Sequence, residues 1–450
     1  MASLGHASQM FWRRISWRQT CWRRLCAAAA CGLAVLAGPV AAADAPVPLT
    51  EKGKPVDWWF AYKFNVTSFR GCGDGAPKRV CLFGNTINAK VGANFSQQYV
   101  FASSGGGDKG KLAMGKGCLG MTTTDPVGAT FDSIYNGSPF FLIWNDQFYG
   151  DPKIEGCGTG NCNSPWGHSK GMLAWNENGD GLVLQVTTPS WPAAGSAKHP
   201  RKAGNTLGCV STQNNINNAQ HFFSLKLDKK GVLAVLAGLK NASVATDPAN
   251  GQIARLGGPQ EIRDAAEALG QKPARKAPAK KTPEDLKIIQ TQLTPDVMLI
   301  SKPSNLNVPP WQMVSALLDG ASERTATWWA KPRIFSTKKS TKIGCWEGEL
   351  KSDNKNPGEV IIAKNGSFGG RGLGLIGGQN HAKVGVTTSG SNHYAIFGDL
   401  NQQGTINPVK GACDSSQNGR GGMFFVVKND ELFKTLSDML EGEDEPFKAK

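Results

Sequence analysis

Two short segments constrain this chain more than any bulk property. Trp166-Gly167-His168-Ser169-Lys170-Gly171 and Asn380-His381-Ala382-Lys383-Val384-Gly385 both read His-x-Lys. Both run into apolar, β-leaning residues, Met172-Leu173-Ala174-Trp175 in the first case and Val384-Gly385-Val386-Thr387 in the second. Side chains i and i+2 of a strand share a face. A strand therefore sets His beside Lys, whereas a helix, advancing about 100° per residue, turns them about 200° apart. The pattern predicts two strands that each carry a His-Lys pair. Brought together, they supply a neutral imidazole as nucleophile or base, an imidazolium as acid, and two compact ammonium groups for phosphate. That set suffices for phosphodiester cleavage without metal. In a Lys-rich chain with six His the pairs can also be accidental.

The segments around the pairs follow one plan. Asp57–Lys63 reads as a buried strand, Tyr99–Phe101 as another, and Phe140–Trp144 as a central strand ending in the polar Asn145-Asp146-Gln147. Asn178-Gly179-Asp180-Gly181 is a hairpin turn into Leu182–Val186, which pairs the His168 strand antiparallel with the next. Phe222–Leu227 and Val232–Leu236 read as further strands. In the second half, Val297–Ser301, Val360–Ala363 and Met423–Val427 read as strands, and Tyr394–Phe397 pairs with Val384–Thr388 across a turn. Trp311–Leu318 and Glu431–Leu440 read as helices, and the glycines from Gly366 to Gly378 as a loop. These glycines lack the strand-then-helix context of a dinucleotide fingerprint, so no cofactor is expected. An apolar strand, a His-x-Lys strand, a hairpin turn and a strand recur in both halves, a pattern that suggests an internal pseudo-dimer.

Residues 1–43 read as an export signal, with five Arg before an apolar run from Leu25 to Val40 and Ala41-Ala42-Ala43 before Asp44. The apolar run is short for a membrane span, and no membrane association is expected once it is removed. We place an N-terminal half at 44–247, a flexible basic insertion or linker at 248–295, and a C-terminal half at 296–450. The insertion is read from 248–283, rich in Ala, Pro, Lys and Gln, which buries too little apolar area to order itself. Without the leader the formal charge of +15 falls by its five Arg and stays positive, which favours a polyanion partner. Eleven Cys become eight once Cys21, Cys26 and Cys31 are set aside, an even set that in an exported chain suggests disulfides. Cys72/Cys81 and Cys157/Cys162 are plausible local pairs. No zinc spacing is present, and no metal site is expected.

Gly53-Lys54-Pro55-Val56-Asp57-Trp58-Trp59, Trp144-Asn145-Asp146-Gln147, His168-Ser169-Lys170-Gly171, Gly398-Asp399-Leu400-Asn401 and Arg420-Gly421-Gly422 occur in an order that resembles the deoxyribonuclease II family. The resemblance spans roughly residues 53–240 and 296–435. It implies an α/β (α+β) fold similar to the phospholipase D superfamily, with two β-sheet-centred halves forming a pseudo-dimer around one site. It also implies an exported, periplasmic or secreted DNA endonuclease active at acid pH without divalent metal, leaving 3′-phosphate ends. By position His168, Lys170, His381 and Lys383 match the catalytic motifs. Asn401 matches the polar residue that supports the His or the phosphate, and Asp399 either supports the site or caps a turn. The Asp that follows the His-Lys pair in the wider superfamily is absent in both halves. The place of a further His found in animal members falls on Val186.

The resulting expectation is that one of His168 and His381 attacks phosphorus, forming a phosphohistidine, while the other protonates the leaving 5′-oxygen and then activates water. Lys170 and Lys383 hold the non-bridging oxygens, and His199, in the basic loop Lys198–Lys202, and Arg420 contact substrate. His221 and His393 are given no role. DNA would be held mainly by its phosphates and with little regard to sequence, and a homodimer is compatible with the sequence. Two other readings share the observations: a phosphodiesterase acting on lipid headgroups, and a non-enzymatic polyanion- or carbohydrate-binding protein with Trp58, Trp59 and Trp191 as stacking platforms.

Overall fold

The computed structural model describes residues 44–65, 67–69, 98–107, 109–117, 119, 124–148, 150, 152–158, 161–189, 218–270, 281–408 and 412–447. The leader, the Cys72/Cys81 pair, Trp191, His199 with its loop, and the basic run 272–280 lie outside them.

Along β1 (Trp58–Lys63), Trp58, Phe60 and Tyr62 enter one core while Trp59 and Ala61 enter another, the period-2 arrangement of a strand buried on both faces. The first half continues through β2 (Tyr99–Ser103), β3 (Ala113–Met114), α1 (Pro126–Asp132), β4 (Phe140–Asn145), β5 (Lys170–Trp175), β6 (Gly181–Val186), β7 (Gln220–Leu227), α2 (Lys229–Asn241), β8 (Ala254–Arg255) and α3 (Gln260–Glu267). The second half holds β9 (Ile289–Thr294), β10 (Val297–Lys302), α4 (Pro310–Leu317), β11 (Glu323–Ala326), α5 (Gly348–Ser352), β12 (Val360–Ile362), β13 (Asn365–Phe368), β14 (Arg371–Gly374), β15 (Val384–Thr387), β16 (Tyr394–Gly398), β17 (Gly422–Lys428) and α6 (Asp430–Leu440).

The result is a mixed α+β architecture with two large sheets. Their orders are β3-β2-β1-β7-β6-β5-β4-β8 and β12-β11-β15-β16-β17-β10-β9. Within them, β4-β5-β6-β7-β1 and β11-β15-β16-β17-β10 are antiparallel runs of matching connectivity. In each, the strand just after His-x-Lys lies second and its hairpin partner third. A helix follows each run. α2 starts at Asp228 and α6 at Asn429, and these side chains accept from Gly231 N at 2.7 Å and Leu432 N at 2.9 Å, the capping bond that satisfies an orphan first-turn donor.

The sheets share a central core. The Phe60 and Phe397 rings stack at 4.3 Å between centroids, and Phe223 meets Phe425 at 5.4 Å. Val232, Val235, Leu236 and Leu239 of α2 and Leu432, Leu436 and Leu440 of α6 join the same core. Each fully buried side chain of this size contributes on the order of 1.5–3 kcal/mol, so the core fixes how one sheet lies on the other.

Several expectations need correction. Val232–Leu236 is helical, because its apolar residues extend at helical spacing to Leu239 behind the Asp228 cap. The glycines from Gly366 onward form the β13–β14 hairpin, whose turn uses Gly369 and Gly370 at φ +56° and +76°, and a short 3-10 turn at Gly377–Gln379. The described parts of the expected linker are integrated into the fold. β8 pairs with β4 and β9 with β10, while Ile262, Ala266 and Leu269 bury into the central core. Three apolar residues on one helical stripe anchor a segment whose average composition is polar.

Candidate active site

His168 and His381 stand just before β5 and β15 rather than within them. Each is fastened to the opposite half. The His168 N–H donates to Gly421 O at 2.8 Å and its Nδ1–H to Asp399 O at 2.8 Å. The His381 N–H donates to Ala219 O at 2.8 Å and its Nδ1–H to Thr187 O at 2.8 Å. Gly421 and Ala219 immediately precede β17 and β7, and Asp399 and Thr187 immediately follow β16 and β6. The four anchors therefore occupy corresponding places in the two sheets. A carbonyl only accepts, so both Nδ1 atoms carry hydrogen and the neutral rings have their lone pair on Nε2. The approach to His168 requires glycine: a Cβ on Gly167 would meet Ala242 O at 2.3 Å, and one on Gly421 would meet the same oxygen at 2.2 Å.

The two lysines have different surroundings. Lys170 Nζ lies 2.5 Å from Asp146 Oδ1, and Asp146 Oδ2 lies 3.0 Å from Arg420 Nη2. Arg420 also donates from Nε to Trp166 O at 2.9 Å and from Nη2 to Cys162 O at 2.7 Å and Gly167 O at 2.8 Å. The Cys157–Cys162 disulfide closes this loop, and Cys162 N donates to Asp146 O at 2.7 Å. Arg420, expected to contact substrate, is thus largely engaged in tying the second half to the first, although it lines the cavity described below. Lys383 Nζ donates to His381 O at 2.6 Å, and among the described residues no carboxylate forms an ion pair with it.

A buried polar chain joins the motifs. Lys383 N–H donates to His221 Nδ1 at 3.1 Å, which leaves the hydrogen on Nε2 for Gln185 Oε1 at 3.3 Å, and Gln185 Nε2 donates to Asp399 Oδ1 at 3.0 Å. Asp399 Oδ2 accepts from Met423 N at 2.8 Å. Asp399 thus braces β17 with its side chain and holds His168 with its backbone. Gln220 Oε1 accepts from Thr187 Oγ1 at 2.7 Å and faces His381 Nδ1 at 3.2 Å.

Burial acts strongly on the charges. It pulls His168 and His381 well below the ordinary imidazole value, and nearby cations add to it: Lys170, Arg420 and Lys383 on the first, Lys383 and Lys170 on the second. Burial also lowers Lys170, against the pull of Asp146, and lowers Lys383 strongly. Burial raises the Asp399 carboxyl to about 6, against the hydrogen bonds from Ser169, Met423 N and Gln185.

Both histidines line a cavity of about 300 Å³, with Asp146, Trp328, Asn401 and Arg420 in its wall. Asn401 Nδ2 donates to Gln403 Oε1 at 2.7 Å, while its Oδ1 is buried without a partner among the described residues. Among the described residues no group of three His, Cys, Asp or Glu is arranged to hold a metal, and no helix is long and apolar enough to cross a membrane. Trp58 and Trp59 are core residues, 5% and 0% exposed, and offer no stacking platform. The pair Cys157–Cys162 is bonded, and Cys345 bonds Cys413.

The arrangement is two imidazoles, each with its lone pair on Nε2, lining one pocket, with Lys170 and Lys383 buried behind them and not in its lining; a neutral imidazole placed this way can act as nucleophile or base. The family model described as Deoxyribonuclease II matches residues 48–314, more than half of the chain. The chain belongs to the deoxyribonuclease II family. That match includes His168 and Lys170 and ends within α4, before His381 and Lys383. No curated protein gives a significant match.

Asp146, Gln185, Gln220, His221 and Trp328 were not expected as site residues. Asp146 had two signals, its place in a polar cluster at a strand end and in the landmark Trp144-Asn145-Asp146-Gln147. His221 and Gln220 lie in a strand that reads only as apolar core, and their importance comes from the partner sheet.

Proposed function

We propose that the protein is an exported endonuclease that hydrolyses DNA phosphodiesters through a phosphohistidine, with His168, Lys170, His381 and Lys383 at the reacting centre. The observation that carries the reading is the reciprocal fastening of the two His-x-Lys segments around one cavity. It also supports the two halves, 44–247 and 296–450, as a pseudo-dimer of the phospholipase D type.

In this mechanism the Nε2 of one histidine attacks phosphorus, forming N–P as P–O5′ breaks, and the other, protonated, gives its proton to the leaving oxygen. The second histidine then takes a proton from water. The hydroxide attacks phosphorus and breaks N–P, leaving a 3′-phosphate and restoring the first ring. Lys170 and Lys383 stabilise the oxygens as charge builds, so positive charge is supplied by the chain itself without a divalent ion. Asn401, in the wall of the same cavity, supports the histidine or the phosphate. The amide-rich cavity wall favours a nucleic acid over a lipid headgroup, which would bring acyl chains toward it.

The test is plasmid nicking at pH 5 with excess EDTA by wild type, His168→Ala and His381→Ala. Nicking that survives chelation and vanishes in both variants is expected. Activity abolished by EDTA refutes the metal-free mechanism, and full activity in either variant refutes the histidine pair.

A further inference from the structure

Lys63 and Lys302 are fully buried cations that the mechanism above does not use. They occupy corresponding places, each as the last residue of its strand, β1 and β10. In register, Lys302 lies opposite Gly422 and Lys63 opposite Gln220. Gly422 and Gln220 directly follow Gly421 and Ala219, whose carbonyls hold the His168 and His381 backbone N–H groups. Each Nζ donates to the carbonyl of the next residue, Pro303 O at 3.3 Å and Phe64 O at 2.9 Å. In both sheets a buried lysine thus ends the strand beside the segment that fastens the other half's histidine.

Lys302 shows what such a lysine does. Its Nζ also donates to Asn418 O at 2.7 Å and Arg420 O at 2.8 Å, so three carbonyls meet the three N–H of one ammonium. Among the described residues no carboxylate forms an ion pair with it. Burying this charge costs free energy that an apolar side chain of the same length would avoid, so packing alone does not call for lysine here. Two of its acceptors belong to the turn Asn418–Arg420 that leads into Gly421. Ser304 takes the next link, its Oγ accepting from Gly421 N at 3.0 Å. Arg420 O and Gly421 N are the two polar atoms of one planar peptide group. Lys302 and Ser304 therefore grip that peptide at both of them. The next carbonyl, Gly421 O, accepts from His168 N at 2.8 Å. Glycine restricts its own backbone least of all residues, so the direction of that carbonyl depends on outside restraint.

We propose that Lys302 and Ser304 are positioning residues for the reaction: by holding the Arg420–Gly421 peptide at both polar atoms, they set the Gly421 carbonyl and, through it, the place of His168 at the reacting centre. The inference rests on the nuclease reading above. Neither residue lines the cavity, so neither touches substrate, and both act only through the backbone. A catalytic group displaced by about 1 Å can lose a hundredfold in rate, which makes the brace matter to turnover rather than to binding.

The experiment measures steady-state plasmid nicking at pH 5 with excess EDTA, at a temperature where thermal melts show each variant folded. Lys302→Met keeps the length of the side chain and removes its three donors, and kcat should fall about tenfold to a hundredfold with KM unchanged. Ser304→Ala should lower kcat about fivefold, the scale of one ordinary hydrogen bond, again with KM unchanged. In the double variant the two losses should fall short of multiplying, because both act through one peptide. A folded Lys302→Met with wild-type kcat overturns the brace. Losses that multiply in full overturn it too, since they mark two unrelated contributions. If Lys302→Met does not fold, Ser304→Ala decides alone, and wild-type kcat in that variant overturns the proposal while leaving the nuclease intact. A wild type that nicks nothing overturns the nuclease reading as well.

Discussion

Replacing Asp146 by Asn removes one negative charge and almost no volume. Lys170 and Arg420, 2% and 9% exposed, both form ion pairs with that carboxylate, and among the described residues neither has another carboxylate in an ion pair. Removing one partner of a buried pair costs about 3–5 kcal/mol, because an uncompensated charge remains. With two cations stranded, the upper part of that range is expected for Asp146→Asn. The assay is urea unfolding at pH 7, with the disulfides oxidised, followed by tryptophan fluorescence. Lys170→Met in the same background removes one of the stranded charges and should recover more than 1 kcal/mol of the loss, a coupling that a double-mutant cycle resolves. A loss below about 1 kcal/mol in Asp146→Asn, or no coupling with Lys170→Met, would refute the shared-counterion account.

Four further outcomes are expected. His168→Ala and His381→Ala should each lower kcat on plasmid DNA by about a hundred- to ten-thousandfold, with the far-UV circular dichroism of wild type retained. The proposed mechanism needs one protonated ring, and both rings are held below their ordinary value, so activity should climb as pH falls below about 6.5. Stability should run the other way, because neutral rings contribute fully above the unfolded value near 6.5 and that contribution is lost as pH drops toward the folded values. Thermal melts from pH 7 to 4 check this, and the double variant His168→Gln/His381→Gln should flatten the decline. Lys63 and Lys302, both fully buried with pKa lowered to about 7, should each make stability rise with pH between about 7 and 10.5, by at most about 1.4 kcal/mol per pH unit, and Lys63→Met should lessen the rise by its own share in urea titrations.

Much of the scaffold was legible because its strands are short apolar runs bounded by Gly, Asn and Pro. The hairpin at Asn178–Gly181 and the strands around Phe141, Phe223 and Phe425 follow from local pattern alone. Val232–Leu236 was misread because five residues of apolar sequence fit either periodicity, and the deciding element is the cap at Asp228. Both His-x-Lys segments were visible as motifs. Their anchors were not, since a backbone carbonyl such as Thr187 O or Asp399 O carries no sequence signature. Asp146 and His221 were given no role for a related reason: their partners Arg420 and Lys383 are supplied by distant chain, and nothing local marks a Gln or His in a buried strand as a bridge between sheets.

The order in which the chain is made gives the crossed anchors a temporal meaning. His168 is synthesised early, yet the carbonyl that fixes its ring belongs to Asp399, 231 residues later, and the one that fixes its backbone belongs to Gly421. The first half alone holds an imidazole with neither restraint, and the second half alone lacks both carbonyls that restrain His381. In the proposed mechanism a truncated or half-folded chain is therefore silent, and chemical competence arrives only when the last strand docks. For the proposed nuclease, completion of folding itself serves as the latch.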